Sequence, residues 1–268
     1  MYSRIGKLLG GELMNNLYNI WSDDATGVDF QYYPATSKIT DAAVIILPGG
    51  AYAGHADHEG KGYAEMFNAF GLSAFVLKYR VMPNYFPLPL LDARRAVRYV
   101  RYNAEKFGSN KNKILVIGSS AGGHLTALLS TYKEKLPEEG VDEIDEEDCI
   151  PNGQILCYPV ICSNENIGHM GSYKHLLGDL YTERDKFSPE LLVCEDTPRA
   201  FIWHTSTDDL VKVSNSYRYA EALSNVGVLC EVHVYPIGGH GWGTAKDLPY
   251  IARWTDCLKE WLILNKFL

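Results

Sequence analysis

Short runs of apolar, β-branched and aromatic residues recur along this chain, and stretches with helical spacing of apolar residues separate them. Each run is too short for a helix and has the length of a buried strand. The predicted strands cover residues 28–33, 42–49, 73–79, 113–118, 153–160, 199–205 and 230–236. The predicted helices cover residues 60–70, 90–107, 121–135, 214–227 and 246–264. This alternation predicts a mostly parallel sheet with helices on both faces.

The chain is long enough to enclose one sizeable core, since 46% of its 268 residues are hydrophobic. The sequence contains no repeat and no linker that would separate two domains. We therefore predict a single α/β domain over residues 1–268, in which residues 1–26 form an N-terminal extension. The less regular residues 161–192 predict a small cap-like insertion over the sheet. The proline-rich segment "PNYFPLPLLD" (83–92) announces the helix over 90–107 and is not expected to be helical itself.

The segment "KILVIGSSAGGHL" (113–125) joins a predicted strand to a predicted helix and contains two adjacent serines. Ser120 occupies the centre of a G-x-S-x-G pattern, whereas a frame centred on Ser119 would require glycine at Ile117. This pattern between a strand and a helix is typical of a nucleophile elbow, a strained turn that exposes the serine. Ser120 is therefore the candidate nucleophile. A glycine-rich connector with incidental serines is the alternative.

A nucleophilic serine needs a histidine that accepts its proton and a carboxylate that orients the histidine. The glycine-rich segment "IGGHGWG" (237–243) follows the last predicted strand and contains His240. The segment "HTSTDDLVKV" (204–213) follows the preceding strand and offers Asp208 and Asp209. The resulting order of serine, aspartate and histidine along the chain is the order expected of an α/β-hydrolase.

The other histidines considered are less suited to act as the base. His124 lies one turn after the candidate nucleophile and is expected to pack there. His204 and His233 lie in predicted strands and are expected to be structural. His55 and His58 raise the alternative of a metal site, but they lie in a loop without the spacing of a helical ligand pair. We expect no metal and no cofactor.

The segment "ILPGGAYAG" (46–54) places Gly49, Gly50 and Ala51 directly after a predicted strand. Small residues let backbone N–H groups approach a substrate closely, so this turn predicts an oxyanion hole. The N–H of Ala121, the residue after the candidate nucleophile, is the expected second donor. An ordinary strand-terminating turn is the alternative.

Most of the net charge of −8 comes from "KEKLPEEGVDEIDEED" (133–148), which holds nine acidic residues and two lysines. We interpret this stretch as a solvated surface loop, because it lacks the D-x-D-x-D-G register of a calcium site. No basic cluster points to a nucleic-acid partner. The sequence shows no signal peptide and no apolar run of 18 residues, and its six cysteines form no C-x-x-C pair. These features predict no membrane association and a reducing, cytoplasmic location.

Taken in chain order, these motifs resemble bacterial α/β-hydrolase esterases of the acetyl esterase and acetylxylan esterase-like group, which is related to hormone-sensitive lipase. The resemblance extends from about residue 40 to residue 245. It rests on "LPGGAYAGHADHEG", "VLKYR", "PLPLLDARRAVRYVR", "GSSAGGHL", "CYPV", "GSYKHLLG", "FIWHTSTDDLVKV" and "YPIGGHGWG". It implies an α/β-hydrolase fold with an eight-stranded, mostly parallel sheet. It also implies hydrolysis of short-chain acyl esters, with O-acetyl groups of carbohydrates such as xylo-oligosaccharides as a recurrent substrate class.

The resemblance also implies a role for each matching residue. Ser120 matches the nucleophile, His240 the base, and Asp208 rather than Asp209 the acid of the group. Four further residues match or adjoin the oxyanion hole: Gly50, Ala51 and Ala121 as donors, and Tyr52 as a residue that lines the acyl or alcohol site. For Tyr52, packing beneath the loop is an equal alternative. Four charged residues are expected to form a structural network beneath the site: Glu59, Arg80, Asp92 and Arg95.

Ala51 is a departure, because the group often has a third glycine at this position. The hole therefore requires a backbone angle that tolerates a Cβ atom.

Two other functions stay open. A serine peptidase of the prolyl-oligopeptidase type has the same residue order, although that group usually carries a large extra domain that this chain lacks. A binding protein that kept the fold and lost catalysis is the second. The expected partner is a small-molecule or oligosaccharide ester, and assembly into a homo-oligomer is left open.

Overall fold

The computed structural model describes residues 16–21, 28–137 and 142–268. Within these ranges the strands are β1 (Asn16–Tyr18), β2 (Asp29–Tyr33), β3 (Ala43–Leu47), β4 (Ser73–Lys78), β5 (Ile114–Ser119), β6 (Gly153–Cys157), β7 (Ala200–Thr205) and β8 (Cys230–Tyr235). The α-helices are α1 (Asp57–Ala69), α2 (Leu88–Tyr102), α3 (Ala121–Thr131), α4 (Met170–Leu177), α5 (Pro189–Leu192), α6 (Ser214–Asn225), α7 (Pro249–Ala252) and α8 (Trp254–Leu264). Two 3₁₀ helices cover Glu143–Glu146 and Gly178–Phe187.

The strands form one eight-stranded sheet with the order β1-β2-β4-β3-β5-β6-β7-β8. The β1–β2 and β2–β4 pairs are antiparallel, and every other pair is parallel. This confirms the predicted eight-stranded, mostly parallel sheet, and all seven strands predicted from apolar runs are present. In the parallel register Leu47 lies beside Gly118, and Ser119 lies beside Cys157. The loops that leave β3, β5 and β6 therefore meet at one edge of the sheet.

Successive residues of β3 show how both faces of the sheet are covered. Ala43, Ile45 and Leu47 pack in a core with α2 and α3. Val44 and Ile46 point to the opposite face and pack with α1 and α8. Because side chains alternate across a strand, a run that is buried on both faces is apolar throughout. The apolar runs in the sequence therefore reflect helices on both sides of the sheet.

Several predicted helix boundaries are wrong. Helix α2 begins at Leu88 inside the proline-rich segment, because Pro89 lies in the first turn, where a helix does not need its missing N–H. The same helix ends at Tyr102 instead of residue 107, and the last predicted helix is divided into α7 and α8. Residues 161–192 also contain more regular structure than expected: α4, a 3₁₀ helix and α5. Their interpretation as a cap-like insertion, like the single-domain assignment, stays a prediction.

Two other predictions fall partly on residues 1–15, 22–27 and 138–141, which lie outside the described ranges. Of the predicted extension 1–26, residues 16–18 pair with β2 as a strand of the sheet. Of the acidic stretch 133–148, Asp142 and Asp145 bind Arg95 at 2.6 and 2.9 Å, and the Asp145 side chain is buried. The interpretation as a wholly solvated loop is therefore wrong, because this part neutralises a buried guanidinium.

Among the helices in the described ranges, none has the length and apolar composition needed to cross a bilayer. All six cysteines are unpaired, and Cys157 and Cys162 are buried. The structure thus uses its buried thiols as small packing groups.

Candidate active site

The turn between β5 and α3 holds Ser120 in a conformation that side chains rarely adopt. Its φ and ψ angles are 53° and −117°. A methyl group built on Gly118 would overlap the carbonyl oxygen of Gly122, and one on Gly122 would overlap that of Leu47. Both glycines of the G-x-S-x-G pattern are therefore required by the close approach of β3, β5 and α3. This is the geometry of a nucleophile elbow.

The two adjacent serines have different surroundings. Ser119 is fully buried, and its hydroxyl lies 2.7 Å from the Tyr63 hydroxyl. The Ser120 side chain points to the carboxyl edge of the sheet, where its Oγ lies 2.8 Å from His240 Nε2. The structure therefore selects Ser120 as the serine that faces a base.

The structure brings Ser120, His240 and Asp208 together in one chain of hydrogen bonds. His240 Nδ1 lies 2.7 Å from Asp208 Oδ2, and His240 Nε2 lies 2.8 Å from the serine hydroxyl. Because a carboxylate can only accept, Nδ1 carries the proton and Nε2 is left as the acceptor for the hydroxyl. This tautomer is the one that a general base at Ser120 requires.

The Asp208 carboxylate is buried and held by four donors. Its Oδ1 accepts the backbone N–H groups of Leu210 and Val211, at 3.0 and 2.8 Å. Its Oδ2 accepts from both His240 and His204. Burial raises the pKa of Asp208, but the hydrogen bonds from His204, His240 and Val211 outweigh it and hold this pKa well below its usual range. Asp209 is exposed, so the geometry favours Asp208.

The turn after β3 presents backbone donors beside the serine. A Cβ atom built on Gly49 would lie 3.1 Å from Ser120 Cβ, so the turn adjoins the nucleophile. Gly50 and Ala51 have φ angles of 134° and 54°. Ala51, which stands where the esterase group often has glycine, adopts the left-handed backbone conformation despite its Cβ atom. Within the described part of the chain, the N–H groups of Gly50, Ala51 and Ala121 have no acceptor. They are available to an oxyanion.

A buried carboxylate fixes this turn from below. Glu59 Oε2 accepts the N–H of Gly49 at 2.7 Å, and Glu59 Oε1 accepts the hydroxyl of Tyr158 at 2.6 Å. The Tyr158 oxygen in turn accepts the N–H of Gly243 at 2.9 Å. Glu59 therefore connects the oxyanion turn to the loop that carries His240.

Three of the four residues of the predicted charge network are connected. Asp92 pairs with Arg80 at 2.7 Å, and the ring of Trp21, which donates to Asp92, lies against both Arg80 and Arg95. Arg95 also pairs with Asp142 and Asp145. Glu59 does not belong to this group, since its partners are Gly49 and Tyr158.

The substrate-lining role predicted for Tyr52 is not supported, because its side chain is 1% exposed. Its hydroxyl lies 2.8 Å from His124 Nδ1, and His124 Nε2 lies 3.0 Å from the carbonyl oxygen of Phe187. A carbonyl accepts, so Nε2 donates and Nδ1 receives the tyrosine hydroxyl. Tyr52 thus packs beneath the loop, and His124 packs as expected.

The remaining loop histidines, His55 and His58, contact other parts of the protein. His58 Nε2 donates to the carbonyl oxygen of Gly241 at 2.8 Å, and His55 packs edge-on against Tyr79. In the ranges that the structure describes, no group of three or more histidine, cysteine, aspartate or glutamate side chains is arranged to hold a metal ion.

Sequence reasoning missed the histidines that surround the site. His204 Nε2 contacts Asp208, although its position in a strand indicated only a structural role. From α4, His175 Nδ1 donates to the carbonyl oxygen of Ala51 at 2.9 Å. Burial, together with the nearby His240 and His175, lowers the pKa of His169. The motif "GSYKHLLG" contains His175, but the sequence alone does not show that this side chain reaches the oxyanion turn.

A model of the BD-FAE family matches residues 29–223 of the chain. The chain belongs to the BD-FAE family. Its sequence is similar to the endo-1,4-beta-xylanase B of Butyrivibrio fibrisolvens, with 33% identity over 85% of this chain and 38% of that protein. It is also similar to the acetylxylan esterase of Xylanibacter ruminicola, with 31% identity over 82% of this chain and 45% of that protein. The chain spans less than half the length of either relative.

One solved structure resembles this BD-FAE member over nearly its whole length. It is the acetyl ester-xyloside bifunctional hydrolase from Caldicellulosiruptor lactoaceticus. The identity is 36%, the TM-score is 0.87, and the match covers 95% of this chain and 97% of that chain. The likeness confirms the α/β-hydrolase fold predicted from the motifs.

Proposed function

We propose that this protein is a serine carboxylic-ester hydrolase that removes short acyl groups. The observation that carries the proposal is the chain of hydrogen bonds from Ser120 through His240 to Asp208, at 2.8 and 2.7 Å. Acyl transfer also requires hydrogen-bond donors for the oxyanion that forms on the substrate carbonyl, and the free N–H groups beside the serine can supply them. The tautomer of the histidine suits it to activate the hydroxyl.

In the proposed reaction, Ser120 Oγ attacks the ester carbonyl while His240 Nε2 takes the hydroxyl proton. The carbonyl oxygen becomes an oxyanion, which the N–H groups of Gly50, Ala51 and Ala121 bind. Asp208 stays ionised and stabilises the imidazolium. His240 then returns the proton to the departing alkoxide, which leaves as the alcohol. The acyl group remains bound to Ser120 as an ester. Water, deprotonated by the same histidine, releases the carboxylic acid and restores the serine.

For the substrate we propose O-acetyl groups of carbohydrates such as xylo-oligosaccharides. The support comes from the similar proteins named as an acetylxylan esterase and as an acetyl ester-xyloside bifunctional hydrolase. A cytoplasmic location and a homo-oligomeric state stay predictions.

The first test is hydrolysis of p-nitrophenyl esters with two, four and eight acyl carbons, by the wild type and by Ser120→Ala. We expect a preference for acetate and nearly complete loss of turnover in the variant, with an unchanged unfolding temperature. Cleavage of longer esters alone would retain the mechanism and change the substrate class. Substantial turnover by folded Ser120→Ala would refute the assignment of the nucleophile.

The two other functions make different predictions in the same assay. A peptidase would cleave p-nitroanilide peptides at rates comparable to or above its ester rates. A binding protein would cleave neither substrate, and Ser120 would not react with a fluorophosphonate probe.

A further inference from the structure

Trp242 lies two residues after His240, and its side chain is 42% exposed. An indole is the largest apolar side chain, and its exposure beside a reactive group costs hydrophobic free energy unless a ligand covers it. Here the indole forms one wall of an open groove with a volume of about 570 Å³. That volume lies within the range of about 300–1,000 Å³ found for small-molecule sites.

The groove is joined directly to the loop of the base. Its lining also includes Lys61 and Glu65 of α1 and residues 244–247. His58, also in the lining, donates to the carbonyl oxygen of Gly241 at 2.8 Å. This bond ties α1 to the segment between His240 and Trp242. The groove therefore adjoins the segment that carries the base.

The charges of the lining favour a neutral polar ligand. The lining residues carry three carboxylates, of Asp57, Glu65 and Asp247, and two ammonium groups, of Lys61 and Lys246. Lys61 pairs with Glu65 at 3.7 Å, and Asp57 pairs with Lys78 at 3.1 Å. This near balance provides no field for a phosphate or a polyanion. Hydroxyl groups, in contrast, can exchange hydrogen bonds with carboxylates and ammonium groups alike.

We propose that this groove, hereafter the Trp242 groove, binds sugar rings that flank the acetylated ring of an oligosaccharide substrate. The C–H face of a pyranose is flat and apolar and would stack on the indole, while its hydroxyls would meet the polar lining. The inference rests on the proposed ester hydrolysis for its substrate, and adds that affinity grows with the length of the sugar chain.

The test compares p-nitrophenyl acetate with mono-acetylated xylobiose and xylotetraose, for wild type, Trp242→Ala and Trp242→Phe. The readout is the ratio of kcat/KM on each oligosaccharide to that on p-nitrophenyl acetate. We expect the wild type to have a higher ratio for xylotetraose than for xylobiose. Trp242→Ala should lower the xylotetraose ratio about tenfold, mainly through a higher KM. Trp242→Phe should lose less, because it keeps an aromatic face.

Tyr217→Ala is the matched control, since Tyr217 is an aromatic residue on α6 that is 50% exposed and lies outside the groove lining. It should leave the ratio unchanged. If Trp242→Ala lowers both kcat/KM values equally, Trp242 acts through the His240 loop and the inference is wrong. An unchanged ratio would also refute it.

A binding experiment separates this inference from the proposed function. Unacetylated xylotetraose is titrated calorimetrically into Ser120→Ala and into Ser120→Ala with Trp242→Ala. Binding to the first protein and loss in the second would support the groove even if no ester is cleaved. Ester cleavage by the wild type without any xylotetraose binding would leave the proposed function intact and overturn the Trp242 groove.

Discussion

His204 Nε2 lies 3.2 Å from Asp208 Oδ2, the same carboxylate oxygen that holds His240. The same nitrogen lies 2.8 Å from the carbonyl oxygen of Val211, and His204 Nδ1 lies 2.8 Å from the Ser216 hydroxyl. Since both partners of Nε2 can only accept, His204 carries a proton on Nε2. A buried histidine N–H therefore helps to orient the Asp208 carboxylate, which in turn orients His240.

Replacing His204 tests this positioning. His204→Phe removes both nitrogens, so Asp208 Oδ2 loses one of its two histidine donors and Ser216 loses its partner, and kcat should fall about tenfold with little change in KM. His204→Gln keeps an N–H near the position of Nε2 and should recover most of the loss. Steady-state kinetics on p-nitrophenyl acetate measure the difference. Equal kcat values for the wild type and a folded His204→Phe would contradict the role.

Asp208 and Asp209 are adjacent carboxylates with opposite surroundings, which makes them a matched pair. Asp208→Asn should lower kcat by roughly 10³–10⁴-fold, because the amide no longer selects the reactive tautomer of His240. Asp209→Asn changes an exposed group and should alter kcat by less than about twofold. Measuring kcat of the two purified variants on p-nitrophenyl acetate identifies which aspartate is the acid. The reverse ranking would move the acid to Asp209.

The sheet could be predicted because its strands are buried on both faces. The segments of β3 and β5 are therefore apolar throughout and leave a strong signal. By contrast, β1 has three residues at the edge of the sheet, too few to show a period. Helix α4 was missed because glycines surround it, although His169 caps its first turn by accepting from the N–H of Ser172. Such a cap is not among the usual starting signals of a helix.

The site was predictable where a local pattern determines the chemistry. The elbow identifies Ser120 because two glycines are required within a segment of five residues, 118–122. The contacts of His204 and Glu59 were not predictable, because they join segments whose proximity exists only after the sheet has formed. The choice between the two roles of Tyr52 stayed open for a related reason: its place beside Ala51 in sequence does not reveal that its ring points into the core.

Glu59 should matter for catalysis because it holds the oxyanion turn. Glu59→Ala leaves the N–H of Gly49 and the hydroxyl of Tyr158 without their acceptor, so the turn can shift. A displacement of about 1 Å in a catalytic group can cost about 10²-fold in rate, and we expect kcat to fall by this order. Glu59→Gln keeps an oxygen for Gly49 and should retain most activity. Kinetics and unfolding curves for both variants separate a misplaced turn from a lost fold.

His124 should make the stability of the fold depend on pH. Burial lowers its pKa from 6.5 to about 4, against a hydrogen bond to Phe187 that raises it. Between these values the unfolded chain binds a proton that the folded chain does not, so the free energy of unfolding falls as pH falls. From pH 7 to pH 5 the contribution is about 2 kcal/mol. Urea unfolding at both pH values measures it, and His124→Gln should remove this part of the difference. An identical pH dependence in the variant would exclude His124 as its source.

Two glycines provide a matched test of the close approach at the elbow. Gly122→Ala would place a methyl group against the carbonyl oxygen of Leu47, where backbone must move, and should lower the free energy of unfolding by about 3 kcal/mol or more. Gly62→Ala adds a methyl group with nothing within 4 Å, in the interior of α1. It should raise the free energy of unfolding by about 0.5–1 kcal/mol, because alanine favours a helix over glycine. Urea unfolding of the two variants gives both values. If Gly122→Ala were as stable as Gly62→Ala, β3 and α3 would have to lie farther apart than the structure places them, and the oxyanion turn after β3 would lose its fixed position beside Ser120.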